Sequence, residues 1–281
     1  MENDVAIREM TRSELGVAVE WAAREGWNPG LDDAEAFFAA DPHGYFVAEQ
    51  AGEAVGTISA VRYGPDYGFV GFYIVRPELR GHRHGLLLAG RAMERLADCT
   101  IGIDGVLNKQ RQYAKFFGFE FAYRNIRFGG VVPGGAPAAD LVDARSVSFA
   151  EIAAYDRRFF PAPRESFLRT WLAMPHASAR ACVRDGAVRG YGVIRQCREG
   201  LKIGPLFADD AETAANLFDA LCARAGGQPV YLDVPEVNAA AMALAARQGM
   251  KEVFATARMY RGEIPELPME GIFGVTTFEL G

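Results

Sequence analysis

Short apolar runs bounded by Gly, Pro and charged residues alternate along this chain with segments whose apolar positions recur at helical spacing. One stretch carries the most information. Gly71-Phe72-Tyr73-Ile74-Val75 is aromatic and β-branched, reads as a strand, and is stopped by Pro77. The basic turn Arg80-Gly81-His82-Arg83-His84-Gly85 follows, and Leu86-Leu87-Leu88-Ala89-Gly90-Arg91-Ala92-Met93 then opens a helix. A strand, a turn with free amides and a helix N-terminus make a site for a phosphate-bearing ligand, because the first helical N–H groups lack partners and the helix dipole favours an anion. Arg83 stands in this turn where a third glycine would be expected.

The pattern occurs twice. Tyr45-Phe46-Val47-Ala48-Glu49 and Val55-Gly56-Thr57-Ile58-Ser59-Ala60-Val61 bracket a turn containing Gly52, and Ala179-Arg180-Ala181-Cys182-Val183 and Gly190-Tyr191-Gly192-Val193-Ile194 bracket one containing Gly186. Both predict antiparallel hairpins. Ile101-Gly102-Ile103-Asp104 matches Val230-Tyr231-Leu232-Asp233, each a short strand entering a polar turn. Phe117-Gly118-Phe119 matches Gln248-Gly249-Met250, each followed by a strand-like run, Phe121 to Phe128 and Val253 to Tyr260. Matched landmarks keep a nearly constant offset, which predicts a duplicated α/β domain running helix, hairpin, central strand, helix, strand, helix, strand. Val131-Val132-Pro133-Gly134-Gly135-Ala136-Pro137-Ala138-Ala139 has neither period and reads as a linker. The expected division is a first domain over 1–130, a linker over 131–144 and a second domain over 145–281.

Composition narrows the function. The 281 residues are 50% hydrophobic and 23% charged, as in a globular protein with room for two cores. A net charge of −6 with no basic run argues against a nucleic-acid partner. Met1-Glu2-Asn3-Asp4 lacks the basic and apolar regions of a signal peptide, and no apolar stretch approaches the roughly twenty residues that cross a bilayer. Cys99, Cys182, Cys197 and Cys222 are widely spaced, which predicts reduced, mostly buried thiols in a cytoplasmic protein. His82 and His84 lack a third ligand, so no metal is expected.

The order of elements, the turn Arg80-Gly81-His82-Arg83-His84-Gly85 and the ending Tyr113…Gly118-Phe119 resemble the GNAT acyltransferase superfamily, whose turn motif is R/Q-x-x-G-x-G/A. Lys202-Ile203-Gly204-Pro205-Leu206-Phe207, Leu232-Asp233-Val234-Pro235 and the closing Ile272-Phe273-Gly274-Val275-Thr276-Thr277-Phe278 resemble the degenerate second domain of bacterial tandem-GNAT proteins of the YitH type. The resemblance implies two tandem GNAT-like α/β domains, each with a mixed, mostly antiparallel central sheet flanked by helices. It further implies acetyl-CoA as co-substrate, a primary amine of a small molecule as acceptor, direct transfer, and a monomer or homodimer. The central strand would splay from its neighbour so that Ile74 and Val75 pair with the pantetheine arm like a further strand. Arg80, Gly81, His82, Arg83, His84, Gly85, Leu86 and Asn108 would hold the rest of the cofactor. Arg83 departs from the motif. It is costly if its position requires φ > 0 or close phosphate approach; alternatively, its guanidinium turns outward and adds a charge-assisted contact.

Transfer to an amine requires a deprotonated nitrogen and a protonated or stabilised leaving thiolate. The resemblance makes Tyr113 the candidate general acid. It sits five residues before Gly118, whereas the family spacing of four falls on Ala114. One residue turns a helical position by about 100°, so this role needs a bulge near Phe116-Phe117; otherwise Tyr113 is an ordinary half-buried tyrosine. Asp104 and Tyr73 are candidates for the base, with Asp104 equally able to cap the following turn and a water relay equally able to carry the proton. Trp27 and Asn28, in the loop Gly26-Trp27-Asn28-Pro29-Gly30, would contact the acceptor, unless Trp27 anchors the loop to the core.

In the second half the corresponding turn reads Gly204-Pro205-Leu206-Phe207-Ala208-Asp209-Asp210. Its acids would cap the next helix and repel a pyrophosphate, and Ala245 stands at the tyrosine's position. The second half is therefore expected to be accessory. A CoA-sensing module and an inert scaffold are the rival readings.

Overall fold

A computed structural model of the chain describes residues 5–136 and 138–281; the acidic N-terminal tetrapeptide and Pro137 of the expected linker lie outside the described residues. In the first half, strands β1 (Ala6–Glu9), β2 (Tyr45–Gln50), β3 (Glu53–Tyr63), β4 (Tyr67–Val75), β5 (Thr100–Val106) and β6 (Glu120–Gly130) alternate with helices α1 (Leu15–Arg24), α2 (Asp33–Ala40), α3 (His84–Arg95) and α4 (Gln110–Phe117). The second half repeats the order with β7 (Leu141–Asp143), β8 (Ala177–Arg184), β9 (Ala187–Gln196), β10 (Leu201–Ala208), β11 (Val230–Pro235) and β12 (Lys251–Arg261). Its helices are α5 (Phe149–Asp156), α6 (Glu165–Leu172), α7 (Ala211–Cys222) and α8 (Ala239–Arg247), and a short β13 (Ile272–Gly274) ends the series. This is the expected duplicated α/β architecture, with a mixed, mostly antiparallel sheet flanked by helices. No helix among the described residues is long and apolar enough to cross a membrane.

The strands form one sheet in the order β1-β2-β3-β4-β5-β12-β6-β11-β10-β9-β8-β7, with β13 added on β10. Each half sends its last long strand into the other: β12 lies between β5 and β6, and β6 lies between β12 and β11. Two buried ion pairs sit at matched places in this exchange. Asp104 of β5 stands opposite Arg258 of β12, and Asp233 of β11 opposite Arg127 of β6, with N–O distances of 2.6 Å in each pair. A buried charge is tolerated only when paired, so these arginines hold the exchanged strands in register. Segment 131–144 is correspondingly more than a loose tether. Val132 is buried, the Gly135 amide donates to the Asp219 carbonyl at 3.0 Å, and β7 begins inside the segment and pairs with β8.

Helices α1, α2, α5 and α6 share one core that spans both halves, where Phe37 and Trp171 stack with centroids 6.2 Å apart. Helix α3 covers a second core in the first half, and α7 and α8 a third in the second.

The matched places where each half's central strand parts from its neighbour are treated differently. In the second half β10 and β11 pair in parallel only through Ile203–Leu232. Beyond that point β13 pairs with β10, and the Val275 amide donates to the Asp233 carbonyl at 2.9 Å. The Asn238 side-chain amide holds this segment by donating to the Met269, Glu270 and Ile272 carbonyls. The chain's own C-terminal segment thus fills the gap. In the first half the equivalent gap is open.

Candidate active site

Strands β4 and β5 pair only over Tyr67–Val70 and Thr100–Ile103. Past this point β5 stays on β12 and β4 stays on β3, so the facing edges separate and a cleft of about 660 Å³ opens between them. A bulge in β4 shapes its floor. Phe72 has φ +46°, and the β3–β4 register shifts between Thr57 and Ser59. A non-glycine residue in this region is strained by about 1–3 kcal/mol. Here the strain is held by hydroxyls replacing ladder bonds: Thr57 Oγ1 donates to the Phe72 carbonyl at 2.8 Å and Ser59 Oγ accepts from the Gly71 amide at 2.9 Å. The Phe72 ring meanwhile packs edge-on against Phe37.

After β4, one turn at Pro77–Leu79 leads to Gly81, whose φ of +85° explains the glycine. Among the described residues no side chain caps the N-terminus of α3, whereas Asp210 accepts from the Thr213 amide at the start of α7 and Asn238 from the Ala241 amide at the start of α8. The first half therefore keeps free helical amides beside an open strand edge. The second half has capped its own, and only Asp209 and Asp210 separate β10 from α7. Gly204 to Ala208, expected in a turn, belong to β10.

The predicted cofactor residues separate into three groups. Ile74, Val75, Gly81, His82, Gly85, Leu86 and Asn108 line the cleft. Arg80 also lines it, but its guanidinium is turned back as a strut, donating to the Val75 carbonyl at 2.9 Å and pairing with Glu25. Arg83 and His84 do not line the cleft. Arg83 is exposed with an ordinary right-handed backbone, φ −68° and ψ −13°, so its place in the turn requires no glycine. His84 is buried, with Nε2 3.2 Å from Gln50 Oε1. Among the described residues no group of three or more His, Cys, Asp or Glu side chains is placed to hold a metal.

Tyr73 and Tyr113 both line the cleft, near enough for one to act on the other's phenol. Gly85 leaves room for the first, since a Cβ there would lie 2.6 Å from the Tyr73 hydroxyl; Gly105 leaves room for the ring of the second. Helix α4 is regular, closing on Gly118 at φ +72° with its amide on the Ala114 carbonyl. No bulge is needed for Tyr113 to face inward, and Ala114 is exposed. Burial, reinforced by Tyr73, pushes the Tyr113 phenol up to about 12 against an opposing backbone hydrogen bond from Val106. Burial raises Tyr73 as well.

Asp104 lies at the inner end, but neither expected role fits it. Oδ2 accepts from Arg258, Oδ1 accepts from Arg258, Asn125 and Thr256, and the side chain is 0% exposed. Among the described residues it caps no turn, and both of its oxygens already accept hydrogen bonds. Its counterpart Asp233, also expected to cap, is clamped by Arg127.

Trp27 lines the inner end and also packs on the core. Its carbonyl accepts from Arg127 at 2.6 Å and from Lys202 at 3.3 Å. Asn28 points elsewhere. Its side chain donates to the Glu199 carbonyl and accepts from the Glu199 amide, at 2.8 and 3.0 Å, so it fastens the loop to the second half and does not line the cleft.

Four residues of the second half line the cleft without having been expected there: Phe254, Thr256, Phe278 and Glu279. The closing segment carries the last two of them past Gly71, where a Cβ would collide with the Glu279 carbonyl. Arg127 lies 4.7 Å from the Phe278 ring centroid and supports it from beneath.

Comparison with known proteins agrees with this geometry. Residues 8–119 match the acetyltransferase (GNAT) family and residues 152–274 an acetyltransferase (GNAT) domain. A holothin acyltransferase from Pseudoalteromonas sp. (strain SANK 73390) is 30% identical over 270 residues, covering 95% of this chain and 92% of that protein. The uncharacterised N-acetyltransferase YitH of Bacillus subtilis (strain 168) is 30% identical over 97 residues, 34% of each chain. The crystal structure of an acetyltransferase candidate from Pyrococcus horikoshii superposes with a TM-score of 0.84 at 20% identity, covering 100% of this chain and 99% of that one.

Proposed function

The chain belongs to the GNAT family of acetyltransferases as a tandem member, and from that premise we propose that it transfers the acetyl group of acetyl-CoA to a primary amine in the cleft of its first half. One observation carries the reading: the β4–β5 gap is open beside an uncapped helix N-terminus, while the matching β10–β11 gap is filled by β13. The free edge of Ile74 and Val75 suits a pantetheine arm, and the α3 amides with Gly81 suit a pyrophosphate. The relative named for acylating holothin supports acyl transfer as the chemistry.

Acetyl-CoA supplies the activated acyl group. The protein's share is positioning and proton handling. Holding donor and acceptor side by side in one cleft makes the encounter effectively unimolecular. Tyr113, its pKa pushed up to about 12, keeps its proton at neutral pH and can give it to the leaving sulfur. Tyr73 walls the cleft over Gly85. Asp104, clamped by Arg258, fixes the strand behind the site.

Release of free thiol from acetyl-CoA, followed over a panel of small amines, tests the reading. Tyr113→Phe should lower turnover by roughly 10²-fold with acetyl-CoA affinity unchanged. Unchanged turnover removes Tyr113 from the mechanism; acetyl-CoA binding with no thiol release for any amine favours a sensor.

A further inference from the structure

We propose that Glu279, carried by the C-terminal segment to the inner end of the cleft, binds and deprotonates the acceptor's ammonium, and that the acceptor is a primary amine on a flat apolar body. The inference rests on acetyl transfer taking place in this cleft.

Glu279 lines the cleft, is only 2% exposed, and among the described residues has no hydrogen-bond partner at either carboxylate oxygen. The carboxylates around it are all taken: Asp33 by Arg195, Asp104 by Arg258 and Asp233 by Arg127. The neighbouring cations make their hydrogen bonds elsewhere, the two arginines to carboxylates and Lys202 to neutral carbonyls only. Lys202 donates to the Asn28 and Trp27 carbonyls, Arg127 to Asp233 and Trp27, and Arg195 to Asp33. Arg195 Nη1 lacks a partner too, so it does not bond Glu279. A buried carboxylate without donors is costly, and an ammonium entering the cleft supplies N–H donors and the opposite charge.

Burial pushes the Glu279 carboxyl above its ordinary value. Lys202, Arg127 and Arg195 oppose the rise and Asp33 adds to it. A carboxylate so placed takes a proton readily. Trp27, Phe254 and Phe278 supply the apolar walls, the last two with ring centroids 6.1 Å apart. In the reaction, the ammonium gives one proton to Glu279 and its freed lone pair forms the C–N bond as the C–S bond breaks. The leaving sulfur takes the phenolic proton of Tyr113, the nitrogen's second proton restores Tyr113, and Glu279 releases its proton to solvent.

The test is calorimetric titration of 2-phenylethylamine and tryptamine into the full chain saturated with CoA, with 2-phenylethanol as the uncharged control. Wild-type protein should bind the amines at least tenfold more tightly than the alcohol, and Glu279→Gln should remove that preference while binding acetyl-CoA as wild type does. Equal affinity for amine and alcohol in the wild type overturns the proposal, a result that requires no variant to fold. So does an amine affinity unchanged in Glu279→Gln, or a wild type that binds acetyl-CoA and neither amine. Failure of the wild type to bind acetyl-CoA would instead refute the acetyltransferase reading itself.

Discussion

Replacing Arg258 with methionine leaves the Asp104 carboxylate buried, with only Asn125 and Thr256 as donors. Breaking a buried ion pair from one side costs about 3–5 kcal/mol, because the remaining charge is neither solvated nor compensated. At roughly 2–4 °C per kcal/mol for a chain of this size, the melting temperature should fall by about 6–20 °C. Asp104→Asn should cost a similar amount by stranding Arg258, and the Asp104→Asn/Arg258→Met double variant should recover much of the loss. Urea unfolding at neutral pH measures each variant, and a double-mutant cycle gives the coupling directly. Arg127→Met should behave in the same way, since Arg127 and Asp233 are 3% and 1% exposed in the matched position. A loss below about 1 kcal/mol for Arg258→Met, the range of exposed pairs, would refute the view that these arginines lock the exchanged strands. If Asp104→Asn instead kept full stability and lost only turnover, Asp104 would be the base after all.

Arg83→Ala should leave acetyl-CoA affinity within about threefold by calorimetry, since an exposed residue contributes at most a screened charge; a tenfold loss would put its guanidinium on a phosphate. Gly81→Ala should weaken acetyl-CoA binding by roughly tenfold, because alanine at φ +85° costs about 1–2 kcal/mol even with open space around its Cβ. Undiminished binding would show that the turn relaxes freely. The raised Glu279 carboxyl also has a stability signature. A folded state that holds this proton more tightly has its contribution in full below the ordinary carboxyl value and loses it as pH rises through the raised one. Glu279→Gln should therefore gain stability relative to wild type as pH rises through that window, while amine binding by the wild type strengthens as its carboxylate forms; a pH-independent difference in melting temperature would contradict the shift.

Much of this protein is legible in its sequence, and the misses share a cause. Pro77, Gly81 and Gly85 mark the strand, turn and helix locally, and the repeated hairpins announce the duplication. Strand exchange has no local signature, because β6 and β12 show the same apolar pattern whichever neighbours they pair with. Arg127 and Arg258 occupy matched positions as Asp104 and Asp233 do, yet only the register shows that each arginine answers the aspartate of a different strand. Phe72 runs against its backbone preference because its ring is wanted in the core. Glu279 lies near the chain's end, far in sequence from the cleft it enters, and is visible only once the closing segment is traced through the second half into the first. That segment explains the asymmetry of the duplication: it fills one cleft with β13 and lines the other with Phe278 and Glu279.

Calorimetric titration of the full chain with acetyl-CoA bears most directly on the claim of a single working cleft. Saturable binding of one molecule per chain is the expected result, since among the described residues the β4–β5 gap is open and the matching β10–β11 gap is filled. Two molecules per chain, or no heat at high micromolar concentration, would contradict it.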